Sequence, residues 1–246
     1  MALIYKDLKS SLNITLNKSD TISIILNDDL DIHYDLKDGD YKILIFNDSH
    51  NDLKLVESGD IINSNVEINV IELNDNSLVQ DSNINVYSNS YLKIFTTYLG
   101  LNNKKIDYHL INKERDSMIE IENNIVCLKD SDFNLNIVGK IIKGSKHSKC
   151  FQKSRCLTFE DPKKAKVLPV LEIDENDVEA SHSLSSGTID EDVLFYMNSR
   201  GLSKKAALSL LLVSYLMPSE GFYKDFPSGL MIKEMAEKKV EKVCSM

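Results

Sequence analysis

The chain has 246 residues, of which 42% are hydrophobic, and carries a formal net charge of −9. That length suits one large domain, or one domain with an appendage, and the apolar fraction excludes wholesale disorder. The acidic excess argues against broad contact with nucleic acid or an anionic membrane, since both select a basic footprint. Only 9 Gly and 4 Pro occur, which excludes collagen-like and Pro-rich architectures.

The four cysteines include no C-x-x-C pair and make no disulfide framework. The first residues, MALIYKDLKSSLNITL, hold no continuous apolar stretch of the kind a signal peptide needs. No run of about 18 apolar residues predicts a membrane span. The expected compartment is therefore a reducing cytoplasm, with no nucleic-acid or membrane partner.

From residue 1 to 187 the chain reads as β. Apolar-alternating stretches recur at Ile22–Leu26, Tyr41–Phe46, Val66–Ile71, Ile84–Val86 and Ile119–Ile121. Their β-branched residues suit a pleated surface with one face buried. Between them lie Asn27-Asp28-Asp29, Asn47-Asp48-Ser49, Asn74-Asp75-Asn76-Ser77 and Asp81-Ser82-Asn83, read as turns because Asn, Asp and Ser hydrogen-bond their own backbone. Hairpin signals are nearly absent: there is no Asn-Gly, and Asp38-Gly39 is the one Asp-Gly. Short strands without hairpin turns suit a parallel β-helix, in which each coil stacks on the last. No sequence repeat is visible.

From residue 188 to 246 the pattern becomes helical. Asp190 is a suitable N-cap for a helix through Arg200, with Gly201 as its stop. Ser203 caps a second helix through Leu216, ended by Pro218, and a third runs from about Leu230 to Val243. From residue 201 onward 7 Lys face 5 Asp and Glu, so this end is near +2 against about −11 for the rest.

One stretch carries a resemblance. Leu168-Pro169-Val170-Leu171-Glu172-Ile173 leads through Asp177-Val178 to Ser181-His182-Ser183, Gly187 and Asp190, followed by Leu194-Phe195-Tyr196-Met197-Asn198-Ser199-Arg200-Gly201-Leu202-Ser203. This resembles the signature of the SufB/SufD family of the SUF iron–sulfur cluster assembly machinery. Val138-Gly139-Lys140-Ile141 and Gln152 to Leu157 look like that family's last β coils. Residues 1 to about 130 add no motif.

The resemblance implies a right-handed parallel β-helix (residues 1–187) followed by a small C-terminal α-helical domain (188–246). It further implies that the helices dock SufC, an ABC-type ATPase, and that the C-terminal coils join a SufB-type subunit. A second copy of the chain could cover the same strand edges in isolation. No ATP site is expected, and no G-x-x-x-x-G-K-[ST] occurs.

Ser181-His182-Ser183 is SufD-like, where SufB-type members read Glu-His-Glu. Ala180 stands where SufD-type members often have Cys, and Ser183 where Gly is usual. The expectation is a compact, divergent, noncatalytic SufD-like subunit with no tightly bound cofactor. Two alternatives stay open: a SufB-like scaffold that holds the nascent cluster, and a polysaccharide-active enzyme built on a β-helix.

His182 is the candidate metal ligand, toward transient iron or an iron–sulfur cluster at the subunit interface, with co-ligands from the partner. A structural histidine at the β-to-α corner is the other reading. Cys127, Cys150 and Cys156 could ligate iron or receive sulfur, but burial as small hydrophobes is the commoner fate of free cysteines. Cys244 reads as an exposed thiol. Phe195 is expected in the core under its helix, Gly201 as its cap and Arg200 at its terminal carbonyls, with SufC contact as the competing role. Leu208 to Leu216 reads as core, with part of it as a docking groove.

Overall fold

The structure, a computed structural model, describes residues 2–5, 10–100, 102–128, 131–158, 164–217, 223–226 and 228–243. Fifteen strands run β1 (Ala2–Tyr5), β2 (Ser10–Leu16), β3 (Asp20–Leu26), β4 (Leu30–Lys37), β5 (Asp40–Asn47), β6 (Leu53–Ile62), β7 (Asn65–Glu72) and β8 (Leu78–Val86). They continue as β9 (Tyr91–Gly100), β10 (Asn103–Asn112), β11 (Met118–Cys127), β12 (Asp132–Ile141), β13 (Lys149–Thr158), β14 (Lys164–Ile173) and β15 (Glu179–Gly187). The helices α1 (Glu191–Ser199), α2 (Lys204–Leu216) and α3 (Gly229–Val243) follow among the described residues.

Odd-numbered strands form one eight-stranded sheet and even-numbered strands a second, seven-stranded one. Every strand pairing is parallel. Each coil therefore contributes one strand to each sheet and never folds back on itself, which is the parallel β-helix expected from the missing hairpin turns.

The repeat that the sequence hides is visible at one corner. Asp38, Asn63, Asn89, Asp116 and His147 all have positive φ, between 48° and 61°. They are 25, 26, 27 and 31 residues apart, and each lies two residues before a strand start that the register aligns. Asn63 Nδ2 donates to Asp38 Oδ1 at 2.7 Å, so successive corners bond to one another. Asn and Asp tolerate the left-handed conformation, which is why this corner turns without glycine at those positions.

Two cores result. The first fills the bore between the sheets, with Ile22, Tyr34, Ile43, Ile68, Ile94, Ile106, Ile121 and Leu135 among its buried members. The second lies outside the odd sheet, where Ile25, Leu44, Phe46, Ile71, Leu99 and Val126 meet Leu212, Leu216, Tyr223, Ile232, Ala236 and Val240 of the helical segment. The middle odd strands therefore alternate only in their first half: β5, β7, β9 and β11 are continuously buried over their last five residues, because helices cover the second face.

The bore also holds a polar stack. Glu57 Oε1 accepts from Tyr34 Oη at 2.9 Å, and Oε2 accepts from Gln80 Nε2 (2.9 Å) and Ser82 Oγ (2.7 Å). Tyr98 Oη donates to Gln80 Oε1 at 2.9 Å, and Gln80 Nε2 reaches Tyr108 Oη at 2.8 Å. Burial pushes the Glu57 carboxyl above its usual range, although its three donors pull the other way. Asp81-Ser82-Asn83 is thus not the turn the sequence suggests. It lies inside β8, and Ser82 faces the core to meet Glu57.

The helix ends follow their local chemistry. Asp190 accepts from Asp192 N, Ser203 accepts from Ala206 N, and Gly201 has φ +93° just past the end of α1. Pro218 lies outside the described residues. The basic end also serves within the chain. Lys239 of α3 donates to Asn47 O at 3.2 Å and to Asn74 Oδ1, and lies 3.7 Å from Asp48. Lys242 approaches Asp75 at 3.8 Å, and Lys42 of β5 pairs with Asp225.

Candidate partner interface and metal site

The last coil, β14 and β15, forms the open end of the described β-helix. Both are terminal strands of their sheets, so each presents one unpaired row of backbone donors and acceptors. All nine residues of β15 are exposed, and β14 is exposed or half-buried throughout. Leu168, Ile173 and Leu184 stand out as exposed apolar side chains on this coil.

The register fixes where His182 sits. Ala180, His182, Leu184 and Ser186 align with Cys150, Gln152, Ser154 and Cys156 of β13, all four of them buried and inward-facing. His182 therefore continues the interior face onto the last rung, where no further coil among the described residues covers it. Its register neighbour Gln152 donates from Nε2 to Val170 O at 3.0 Å, while Gln152 Oε1 is buried without a hydrogen-bond partner. Exposed at a strand edge, His182 is not the buried corner donor of the structural reading.

Cys127, Cys150 and Cys156 are buried in the bore. Desolvation pushes the Cys150 thiol up to about 12, which keeps it protonated and inert at neutral pH. The neighbouring Cys156 thiol first, and then burial, raise the Cys127 thiol, while the Cys127 neighbour lowers Cys156. Cys244 lies outside the described residues. Among the described residues no three His, Cys, Asp or Glu side chains gather as a metal cluster, so the structure does not bring His182 and the cysteines together.

The helical face differs from expectation at one aromatic residue. Phe195 is 74% exposed, not in the core, because α1 buries none of its residues. Tyr196 beside it is also exposed, with the Arg200 guanidinium 5.2 Å from its ring centroid. The terminal carbonyls of Tyr196 and Met197 are met by the Arg200 backbone N–H rather than by its side chain. On α2, Ala207, Leu212 and Leu216 are buried, whereas Leu210 is exposed; on α3, Leu230 and Met231 are exposed too.

A model of the SufBD core domain, described as SUF system FeS cluster assembly, matches residues 45–215 of this chain. The chain belongs to the SufBD core family. The match runs from β5 through the open-end strands into α2, so it spans most of the bore and the site. The iron–sulfur cluster assembly protein SufD of Bacillus subtilis is 37% identical over 92 residues, covering 37% of this chain and 21% of the relative. A SufBD family protein of Pyrococcus horikoshii is 30% identical over 95 residues, covering 39% and 21%. One of Synechocystis is 31% identical over 101 residues, covering 40% and 20%. The matched stretch thus spans about a fifth of each relative's length, and within the family the chain is most like SufD. Among the described residues no helix is long and apolar enough to cross a membrane.

Proposed function

We propose that this SufBD core family member is a noncatalytic, SufD-like subunit of a SUF iron–sulfur cluster assembly complex. The single observation that carries the proposal is the family match over residues 45–215, which includes the open-end strands and the exposed helical face. The open end pairs with a SufB-type subunit, whose strand edge would extend both sheets and cover Leu168 and Leu184. The exposed aromatic face of α1 docks a SufC-type ATPase. Phe195 and Tyr196 are large apolar groups with no core role in this chain, as interface anchors are.

Iron or a nascent cluster is cargo in this reading, not a resident cofactor. His182 offers one nitrogen at the pairing edge, and the remaining ligands come from the partner, because among the described residues no three His, Cys, Asp or Glu side chains are placed to hold a metal ion. No group here acts on a substrate bond, and the compartment is the cytoplasm.

Truncation before α1 is a poor test, since it would uncover Ile25, Leu44, Phe46, Ile71, Leu99 and Val126. The double substitution Phe195→Ser/Tyr196→Ser is the better one, because both side chains are exposed. Co-expressed with the SUF ATPase of the same organism, the variant should fold as wild type and lose co-purification. Undiminished co-purification would remove α1 as the docking face.

A further inference from the structure

The outer face of the odd sheet carries a cleft where α2 begins to cover it. The cleft has a volume of about 420 Å³ and lies over β7, β9, β11 and β13, with Tyr215 of α2 and Met217 just past its end as one wall. The register sets out the floor. Asn124 of β11 aligns with Thr97 of β9 and Arg155 of β13, and Glu122 aligns with Phe95. Lys93 of β9 stands between Glu67 of β7 and Glu120 of β11.

Polar groups in this cleft lack the partners that their neighbours have. Thr97 donates its hydroxyl to Leu216 O. Asn124, next in that row, is only 7% exposed, yet its Oδ1 is buried without a hydrogen-bond partner. A buried acceptor left unpaired costs stability, so its retention calls for an explanation. Lys153 and Arg155 both approach Glu122 at Oε1, at 3.0 and 3.7 Å, which leaves Oε2 without a donor among the described residues. Lys93, half-buried between two carboxylates in register, makes no ion pair among the described residues. Burial pushes the Tyr215 hydroxyl up to about 12, so it remains a donor at neutral pH.

The unmet groups are of opposite kinds. Lys93 offers a charged donor, while Asn124 Oδ1 and Glu122 Oε2 offer acceptors. Lys93 and Arg155 balance Glu67 and Glu122 along the lining, so a ligand of net charge is repelled by half of what it meets, and a zwitterion is matched at both ends. Phe95 and Met217 add apolar surface beside the Tyr215 ring. The volume is toward the small end for ligand sites and suits a single amino acid. We propose that this cleft binds a free α-amino acid with an apolar side chain, its carboxylate on Lys93 and its ammonium on Asn124 Oδ1 and Glu122 Oε2. The cleft is distinct from the pairing edge at His182 and from the exposed face of α1, so it stands whether or not those surfaces dock SUF partners.

The test is a saturation-transfer-difference NMR titration of the full chain with L-leucine and two of its fragments. One fragment, 4-methylpentanoate, lacks the ammonium, and the other, 3-methylbutylamine, lacks the carboxylate. Both are smaller than leucine, so neither is excluded by bulk. L-leucine should bind saturably, and each fragment should bind about tenfold more weakly or worse, since each forfeits one charged contact. Asn124→Leu removes the acceptor at nearly constant size. It should keep or raise the melting temperature, because an unpaired buried acceptor is gone, and should weaken L-leucine about tenfold. Lys93→Met, at a half-buried position without an ion pair, should fold as wild type and weaken L-leucine to a similar degree. No saturable signal with L-leucine up to about 10 mM overturns the proposal. So does a fragment that binds as tightly as leucine, because that marks a merely ionic or apolar contact. Wild-type affinity in both variants places any binding elsewhere and overturns it as well.

Discussion

Replacing Glu57 probes whether the polar stack in the bore is a fixed part of the core. Glu57→Leu removes the acceptor that Tyr34 Oη uses at 2.9 Å and Ser82 Oγ at 2.7 Å. Gln80 keeps Tyr108 Oη, so two buried hydroxyls are the groups left short. At about 1–3 kcal/mol for each unpaired buried group, less the relief of no longer burying a carboxyl, the expected loss is about 2–4 kcal/mol at pH 5. Glu57→Gln is nearly isosteric and cannot ionise. Burial raises the Glu57 carboxyl in the folded state, so its protonated form is the one the fold favours. That contribution is fully present below the unfolded value near 4.3 and is lost as pH rises through the raised folded value. Glu57→Gln should therefore gain stability relative to wild type as pH goes from 4 to 8. Urea unfolding followed by far-ultraviolet circular dichroism and by tyrosine fluorescence reads both effects, since the chain has 10 Tyr and no Trp. A Glu57→Leu variant within about 0.5 kcal/mol of wild type, or a Glu57→Gln difference independent of pH, would refute the reasoning.

Leu212 is buried between α2 and the odd sheet, so Leu212→Ala should cost about 2–4 kcal/mol, whereas Leu210→Ala on the exposed side of the same helix should stay within about 0.5 kcal/mol; thermal unfolding of the two variants checks the helix orientation. His182→Ala should leave the melting temperature unchanged, because the ring is exposed, and should lower the cluster yield of the reconstituted complex under anaerobic iron and sulfide. Equal yield would end the ligand role of His182.

What the sequence made legible was local. Helix boundaries at Asp190, Ser203 and Gly201 were readable because a cap is decided by two or three neighbouring residues. The parallel architecture was readable from turns that could not form hairpins. The 25-to-31-residue period was not, because its corner residue changes from Asp to Asn to His and its coils differ in length. Lys104 sits among exposed-looking lysines yet is fully buried, paired with Glu72 at 3.0 Å and bonded to Asn74 O at 3.1 Å. Such a pairing joins residues 32 apart, and no short window contains it. Phe195 failed for the opposite reason: a large apolar residue reads as core unless something says that a face is left for another protein. At the open end the signature marked His182, but only the register showed that it extends the inward-facing row of Cys150 and Gln152.

The aligned corners have a consequence for how such a chain can change over time. Asn63 and Asn89 occupy the same place one turn apart, with the same backbone conformation and the same strand offset behind them. Excising or duplicating the stretch between two such positions rejoins the backbone in phase, and every later strand keeps its inward and outward faces. A single-residue gain inside a strand would instead invert those faces for the rest of that strand. Lineages built on this plan can therefore lengthen or shorten by whole turns, although a turn lost between those two positions takes with it Ile71 and Asn74, which the helical segment packs on and bonds to.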